Sequence, residues 1–422
     1  MKKLIIFLVC LAGLSFVGGV QAQTWHDAKD AGYHVFGQGW FQKQQKKYQR
    51  VPPTMRARFA NSKLSTSSQL STGLYVRFRT DATAISVKYD LTQAATQHYF
   101  VSTFGQSGVD LYARSDDAKT YHWLAPHVGK ASFGSPATTN YQNIIPTNME
   151  GNSVCEYVLY LPSLNGVSSL QVGTTNAKTF EWLEVSEESP YIIAYGGASV
   201  QGASASHPGN IWTNIVGRAL DIPVMNFGFM NLAKLDKSVF NVLSELTPQV
   251  YIIDAMADMK AEPEAIVSRI LEDVEILRAA NQSPILLVES PGVPDKIIQP
   301  KEEALYVAAN AQLKEAYNQL KAAGYYNIFY MTQEELGLGE DDFLDGVDVN
   351  DLGMKRYADA YLKKLAYIEA NKEIVPDAVN EVTTPAKSSS FYDLGGRRVE
   401  AGLMPKGNVV VGSDGQKVVV TK

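Results

Sequence analysis

The chain has 422 residues, 45% of them apolar and 19% charged, with 38 Lys and Arg against 44 Asp and Glu for a formal charge of −6. That composition excludes a disordered, collagenous or coiled-coil chain and supplies core for two or three globular domains. A modest negative charge with no basic run argues against a nucleic-acid partner, whose phosphates require a concentrated basic face.

Lys2 and Lys3 precede an apolar run from Leu4 to about Val17, closed by Val20-Gln21-Ala22. This is the pattern of a secretory signal peptide over residues 1–22, too short for a comfortable membrane span, and it predicts Gln23 as the first mature residue. The expected location is exported: periplasmic, cell-surface or secreted. Val9 precedes Cys10 where a lipoprotein signal wants a small residue, so Cys10 is read as part of the leader. Its removal leaves Cys155 as the one thiol and no intramolecular disulfide. No later stretch approaches the roughly 18 apolar residues of a membrane span.

Residues 23–190 read as strands. Tyr75-Val76-Arg77-Phe78-Arg79, Ala84 to Tyr89 and Tyr157 to Leu161 alternate or are β-branched between short polar turns, which predicts an N-terminal β-sandwich. Over 191–370 the rhythm changes. Short apolar strands (Tyr191 to Tyr195, Val224 to Phe227, Val250 to Asp254, Pro284 to Val288, Asn327 to Tyr330) alternate with helical patterns such as Glu264 to Ala280 and Glu303 to Ala323. Five such alternations predict an α/β domain with a five-stranded parallel sheet of flavodoxin-like type and helices on both faces. Residues 371–389, rich in Glu, Pro, Thr, Ala and Ser, read as a linker, and 390–422 as a small β tail.

In an open parallel sheet ligands sit beyond the carboxyl ends of the strands. The first strand runs into Gly196-Gly197-Ala198-Ser199-Val200-Gln201-Gly202, ahead of a helix beginning near Pro208. A Ser in such a turn has little steric cover and lies near backbone N–H groups able to hold an oxyanion, which makes Ser199 the candidate nucleophile. A helix-capping or merely exposed Ser fits the same residues.

The second strand ends at Asn226-Phe227-Gly228, the third at Asp254-Ala255-Met256-Ala257-Asp258-Met259, and the last connection carries Asp345-Gly346-Val347-Asp348. Together with Asp351-Leu352-Gly353-Met354, these stations resemble the SGNH (GDSL-type) hydrolases, and in particular a subfamily reading G-T-S-I-T-Q-G, N-L-G-F, D-C-x-P-N-M and D-G-V-H-P-T-D-L-G-M. The β-domain of that subfamily carries a G-x-D-L-Y signature, matched here by Gly108-Val109-Asp110-Leu111-Tyr112. The resemblance spans about residues 24–370. It implies an ester hydrolase in which Ser199 attacks an acyl carbonyl, Gly228 helps to hold the oxyanion and Asp345 orients the base.

Two stations depart from the family. Asp258 stands where the family has its oxyanion Asn, and Asp348 where it has its general-base His. All six histidines lie at or before residue 207. A carboxylate, with a pKa near 4 against about 6.5 for imidazole, is ordinarily the poorer proton acceptor. Three compensations are open at this level. Crowding of Asp254, Asp258, Asp345 and Asp348 would raise their pKa values; His207, at the helix entrance, could serve as a surrogate base; or His122 or His127 could reach across from the β-domain.

No cofactor is implied. The acidic run Asp341, Asp342, Asp345, Asp348 and Asp351 lacks the alternating spacing of a calcium loop, so no metal is assigned. The tail, with Phe391-Tyr392-Asp393-Leu394-Gly395-Gly396, resembles C-terminal sorting segments of exported proteins; a small accessory β-module is the other reading. Two functions therefore stand side by side: a carbohydrate esterase or deacetylase acting on a small-molecule or polysaccharide ester, and a pseudo-esterase that keeps the pocket as a glycan-binding or ligand-binding site.

Overall fold

The computed structural model describes residues 23–28, 35–40, 43, 48–95, 101–114, 120–127, 131–144, 154–186 and 188–373, together with the strands of the tail. The leader, most of the linker, His34 and His98 lie outside the described residues.

Two antiparallel sheets build the N-terminal sandwich. In one, the strands run in the order Gln23–Asp27, Val167–Thr175, Ala84–Leu91, Ala137–Tyr141, Ala131–Ser132. In the other the order is Phe180–Trp182, Tyr75–Thr80, Cys155–Tyr160, Asp110–Arg114, Tyr121–Leu124, with Val35–Phe36 pairing beside Tyr75–Thr80. The period-two pattern does what it predicts. Val76 and Phe78 of one sheet and Ile85, Val87 and Tyr89 of the other are buried between the layers.

The second part is a parallel sheet in the order Val224–Gly228, Ile192–Gly196, Tyr251–Asp254, Ile285–Val288, Ile328–Met331, the 2-1-3-4-5 order of a flavodoxin-like fold. Alternate residues feed two cores. Ile193, Tyr195, Ile253 and Leu287 pack under the helices Lys237–Leu243, Ile266–Ala280 and Pro300–Ala322. Ile192, Ala194, Ile252 and Leu286 pack under Trp212–Leu220 and Asp351–Asn371. Helix Pro300–Ala322 starts three residues before the helical pattern expected from Glu303, because Pro300 is preorganised for the first helical position. The helix expected from Glu264 begins as a 3-10 turn, Pro263–Ala265.

Described residues up to Asn371 form one compact unit and those from Lys372 a second. Within the first, the G-x-D-L-Y segment joins sandwich to sheet domain. Asp110 is fully buried and accepts the indole N–H of Trp123 (2.6 Å), the backbone N–H of Gly209 (2.9 Å) and a hydrogen bond from the His207 Nδ1 (2.5 Å). Tyr112 packs so closely on Gly209 that a methyl group there would sit 2.2 Å from its ring, while the Arg218 guanidinium lies 4.1 Å from the Tyr112 ring centroid. Buried Arg50 ties the parts together from the other side, donating to the carbonyls of Asn226 (3.0 Å), Gly228 (2.7 Å) and Ser67 (2.6 Å). The second unit is a small antiparallel sheet in the order Arg398–Val399, Phe391–Tyr392, Val409–Gly412, Lys417–Val419.

Candidate active site

The carboxyl ends of four strands and the loop before the last helix surround a cavity of about 440 Å³. Ser199 lines it, half-buried, on the one-turn helix Ala198–Gln201. Two glycines permit that turn. A methyl group on Gly196 would lie 2.1 Å from the Asp254 carbonyl oxygen, and one on Gly197 would lie 2.7 Å from Asp258 Oδ1. Asp254, Asp258, Asp345 and Asp348 line the same cavity, with Asn231, Lys234, Lys260, Ser290, Tyr306 and Tyr357 completing much of the wall.

Burial governs the acids. Desolvation pushes Asp254 up to about 7, against a lowering hydrogen bond from the Tyr361 hydroxyl (2.8 Å) and with the Asp258 charge adding to the rise. Asp348 is pushed up to about 6 by desolvation, then by the charges of Asp345 and Asp258. Asp258 is also raised by burial. The backbone N–H groups of Ala233 (2.8 Å) and Leu232 and the ammonium of Lys234 oppose that rise by favouring its carboxylate. Lys234 also donates to the Asp258 carbonyl. Asp345 is exposed and folds its Oδ1 back onto its own loop, accepting from the N–H groups of Val347 (3.0 Å) and Asp348 (2.8 Å).

Tyr357 lines the same cavity as Ser199 and is a buried phenol whose pKa burial holds well above its usual value. The phenol is therefore neutral and does not serve as a base for Ser199. Tyr357 and Tyr361 sit one turn apart on helix Asp351–Asn371, their rings backed by Trp212, which stacks on Tyr361 at 4.1 Å.

Two sequence candidates lie elsewhere. Gly228 is buried away from the cavity, and its N–H donates to Asn226 Oδ1 (2.9 Å). Met230 and Asn231 are the residues from this turn that reach the cavity, Asn231 at φ +61°, a left-handed conformation that Asn tolerates better than most side chains. His207 is bonded to Asp110 and stacked on Trp123 (4.8 Å between ring centroids), and it does not line the cavity. His122 and His127 are exposed on the sandwich, and no described histidine lines the cavity. The acidic run before the last helix does not converge. Asp342 accepts the Gly339 N–H (2.6 Å) and lies 2.8 Å from Arg356, while Asp351 accepts the Ser206 N–H (2.9 Å). Among the described residues no group of three or more His, Cys, Asp or Glu is arranged to hold a metal ion.

Residues 189–366 match the model of the GDSL-like lipase/acylhydrolase family, and residues 23–180 match the model of the N-terminus of SGNH-hydrolase-type esterases. The chain belongs to the SGNH, or GDSL-type, hydrolase family. No functionally curated protein matches it. Its fold is shared with solved structures over most of its length. A protein assigned as a GDSL-like lipase from Bacteroides ovatus superposes with a TM-score of 0.71 at 21% identity, covering 83% of this chain and 98% of that one. A salicylyl-acyltransferase, SsfX3, from a tetracycline biosynthetic pathway gives 0.62 at 14% identity, over 83% and 98% of the two chains. A family two carbohydrate esterase from Cellvibrio japonicus gives 0.50 at 10% identity, over 83% and 99%. In this SGNH-family protein the serine turn, the third-strand acid and the final Asp-Gly-Val-Asp loop meet at one cavity, while the imidazole of the family pattern has no counterpart there among the described residues.

Proposed function

We propose that the protein is a slow ester hydrolase of acylated carbohydrate, with Ser199 as nucleophile and Asp348 as proton acceptor in place of imidazole. The observation that carries this reading is that both side chains line one cavity and that burial brings Asp348 up to about 6, nearer the range of a useful base. Ser199 Oγ would bond to the acyl carbon as its proton passes to Asp348. In this reading the backbone N–H groups of Ser199 and Asn231, both residues of the cavity wall, would hold the oxyanion. The sugar alkoxide then leaves with that proton from Asp348; water, deprotonated by Asp348, attacks the acyl carbon, and the bond to Ser199 Oγ breaks as Oγ takes the proton back from Asp348, releasing the acid. A missing oxyanion donor costs about two to three decades of rate, and loss of a triad base costs more without adding simply, so turnover is low. The leader-like residues 1–22 support an exported location.

A second reading, a glycan-binding pseudo-esterase, is favoured by one observation: Asp258 sets its carboxyl group against Gly197, beside Ser199, and in its ionised form would repel developing negative charge. Hydrolysis of an activated acetyl ester by the mature chain separates the two. Activity abolished by Ser199→Ala supports the enzyme; a silent wild type that gains turnover with Asp258→Asn plus Asp348→His supports the pseudo-esterase.

A further inference from the structure

A second cavity, of about 510 Å³, opens at the outer edge of the parallel sheet and shares no lining residue with the Ser199 cavity. The edge strand Ile328–Met331 and the helices Pro300–Ala322 and Asp351–Asn371 contribute its walls. Its charge is opposite to that of the chain as a whole: three lysines, Lys314, Lys363 and Lys364, face one acid, Glu335, in a protein of net charge −6.

Those lysines are not equivalent. Lys364 is committed, paired with Glu335 and donating to the Tyr330 carbonyl at 3.0 Å. Lys314 instead lies over two rings, 4.2 Å from the Tyr330 centroid and 4.9 Å from that of Tyr317. Neither Lys314 nor Lys363 is within ion-pair distance of a carboxylate among the described residues. Tyr330 is fixed in turn by its hydroxyl, which donates to Glu289 at 2.6 Å, and Tyr367 stands 55% exposed against the edge of Phe329.

Flat aromatic faces beside ammonium groups that outnumber the one nearby carboxylate, Glu335, suit a ring with one apolar face and an anionic substituent. An extended acidic peptide would seek the open strand edge, but Lys364 already occupies the Tyr330 carbonyl there. We propose that this cavity binds an acidic sugar ring, the hexuronate of a polysaccharide, its carboxylate between Lys314 and Lys363 and its C–H face on Tyr317 or Tyr367. The site goes beyond the ester-hydrolase reading and stands whether or not Ser199 turns over.

Calorimetric titration of the full mature chain with tetragalacturonate tests it, with cellotetraose as the neutral control. Saturable, salt-sensitive binding is expected, weakened about fivefold or more by Lys314→Gln plus Lys363→Gln and by Tyr367→Ala, and unchanged in Ser199→Ala. Absence of saturation at about 10 mM ligand, equal binding of cellotetraose, or indifference to the lysine changes would overturn the proposal. Equal competition by a glutamate peptide of the same charge would overturn it in favour of an acidic protein partner.

Discussion

Asp348 and Asp254 are acids that folding makes harder to ionise, and this fixes the sign of their effect on stability. A carboxyl whose folded pKa is raised contributes stability that is complete below its unfolded pKa, near 4, and lost as pH rises through the folded value. For Asp348 and Asp254 the loss begins near pH 4 and is complete by about pH 6 and pH 7 respectively. Asp348→Asn should therefore raise the melting temperature at pH 8 and change it little at pH 4; a lower Tm at pH 8 contradicts the electrostatic picture. Asp273, fully buried on helix Ile266–Ala280 with neither oxygen bonded, is pushed up to about 9 by burial, then by Glu272 and Asp236. It is neutral in the folded chain at pH 7 while its unfolded form is ionised, so Asp273→Asn should be nearly silent near pH 4 and stabilising at pH 7 in thermal melts. Part of the candidate site was legible residue by residue, because Ser199 and Asp258 stand in motifs read at strand ends and Asp345 and Asp348 in the connection before the last helix, and all four line one cavity. Asn231 was hidden because it lies three residues beyond Gly228, past the motif read at the end of the second strand, and Tyr357 and Tyr361 by their likeness to ordinary core tyrosines.

At the scale of elements, the helix Asp351–Asn371 connects core packing to the site. Its buried face carries Met354, Tyr357, Ala358, Tyr361 and Leu365, a helical spacing that packs on the sheet and also delivers the Tyr361 hydroxyl to Asp254 and Tyr357 to the wall of the Ser199 cavity. The parallel sheet and its helices were legible from alternating apolar runs. This helix's role was not, since periodicity marks a buried face without saying which buried hydroxyls meet polar groups. The Gly196-Gly197 turn is the other element on which the site depends. Gly197→Ala should displace Asp258 or the turn itself, lowering any Ser199-dependent turnover by about tenfold or more while the chain remains folded by circular dichroism. Unchanged turnover would show that the close approach of Asp258 is irrelevant to the site.

At the scale of the molecule, the sandwich and the sheet domain share one compact unit because buried polar groups cross between them. Asp110 satisfies an indole N–H, a backbone N–H and an imidazole at once. That is the physical content of the G-x-D-L-Y signature, and it explains why His207 is engaged away from the serine; from sequence alone the Asp and the His, 97 residues apart, could not be paired. Asp110→Ala leaves these donors unpaired in a buried seam and should cost about 3 kcal/mol or more, read as a lower midpoint in denaturant unfolding. A change below about 0.5 kcal/mol would mean that the seam is held by packing alone. The account's central claim, that a carboxylate has taken over the work of imidazole at Ser199, is tested most directly by the pH dependence of activated-ester hydrolysis in the wild type and in Asp348→Asn. The account predicts a Ser199-dependent rate that rises through about pH 6 and levels above it in the wild type, and a rate without that rise in the variant. A Ser199-dependent rate with the same pH profile in both proteins would contradict it.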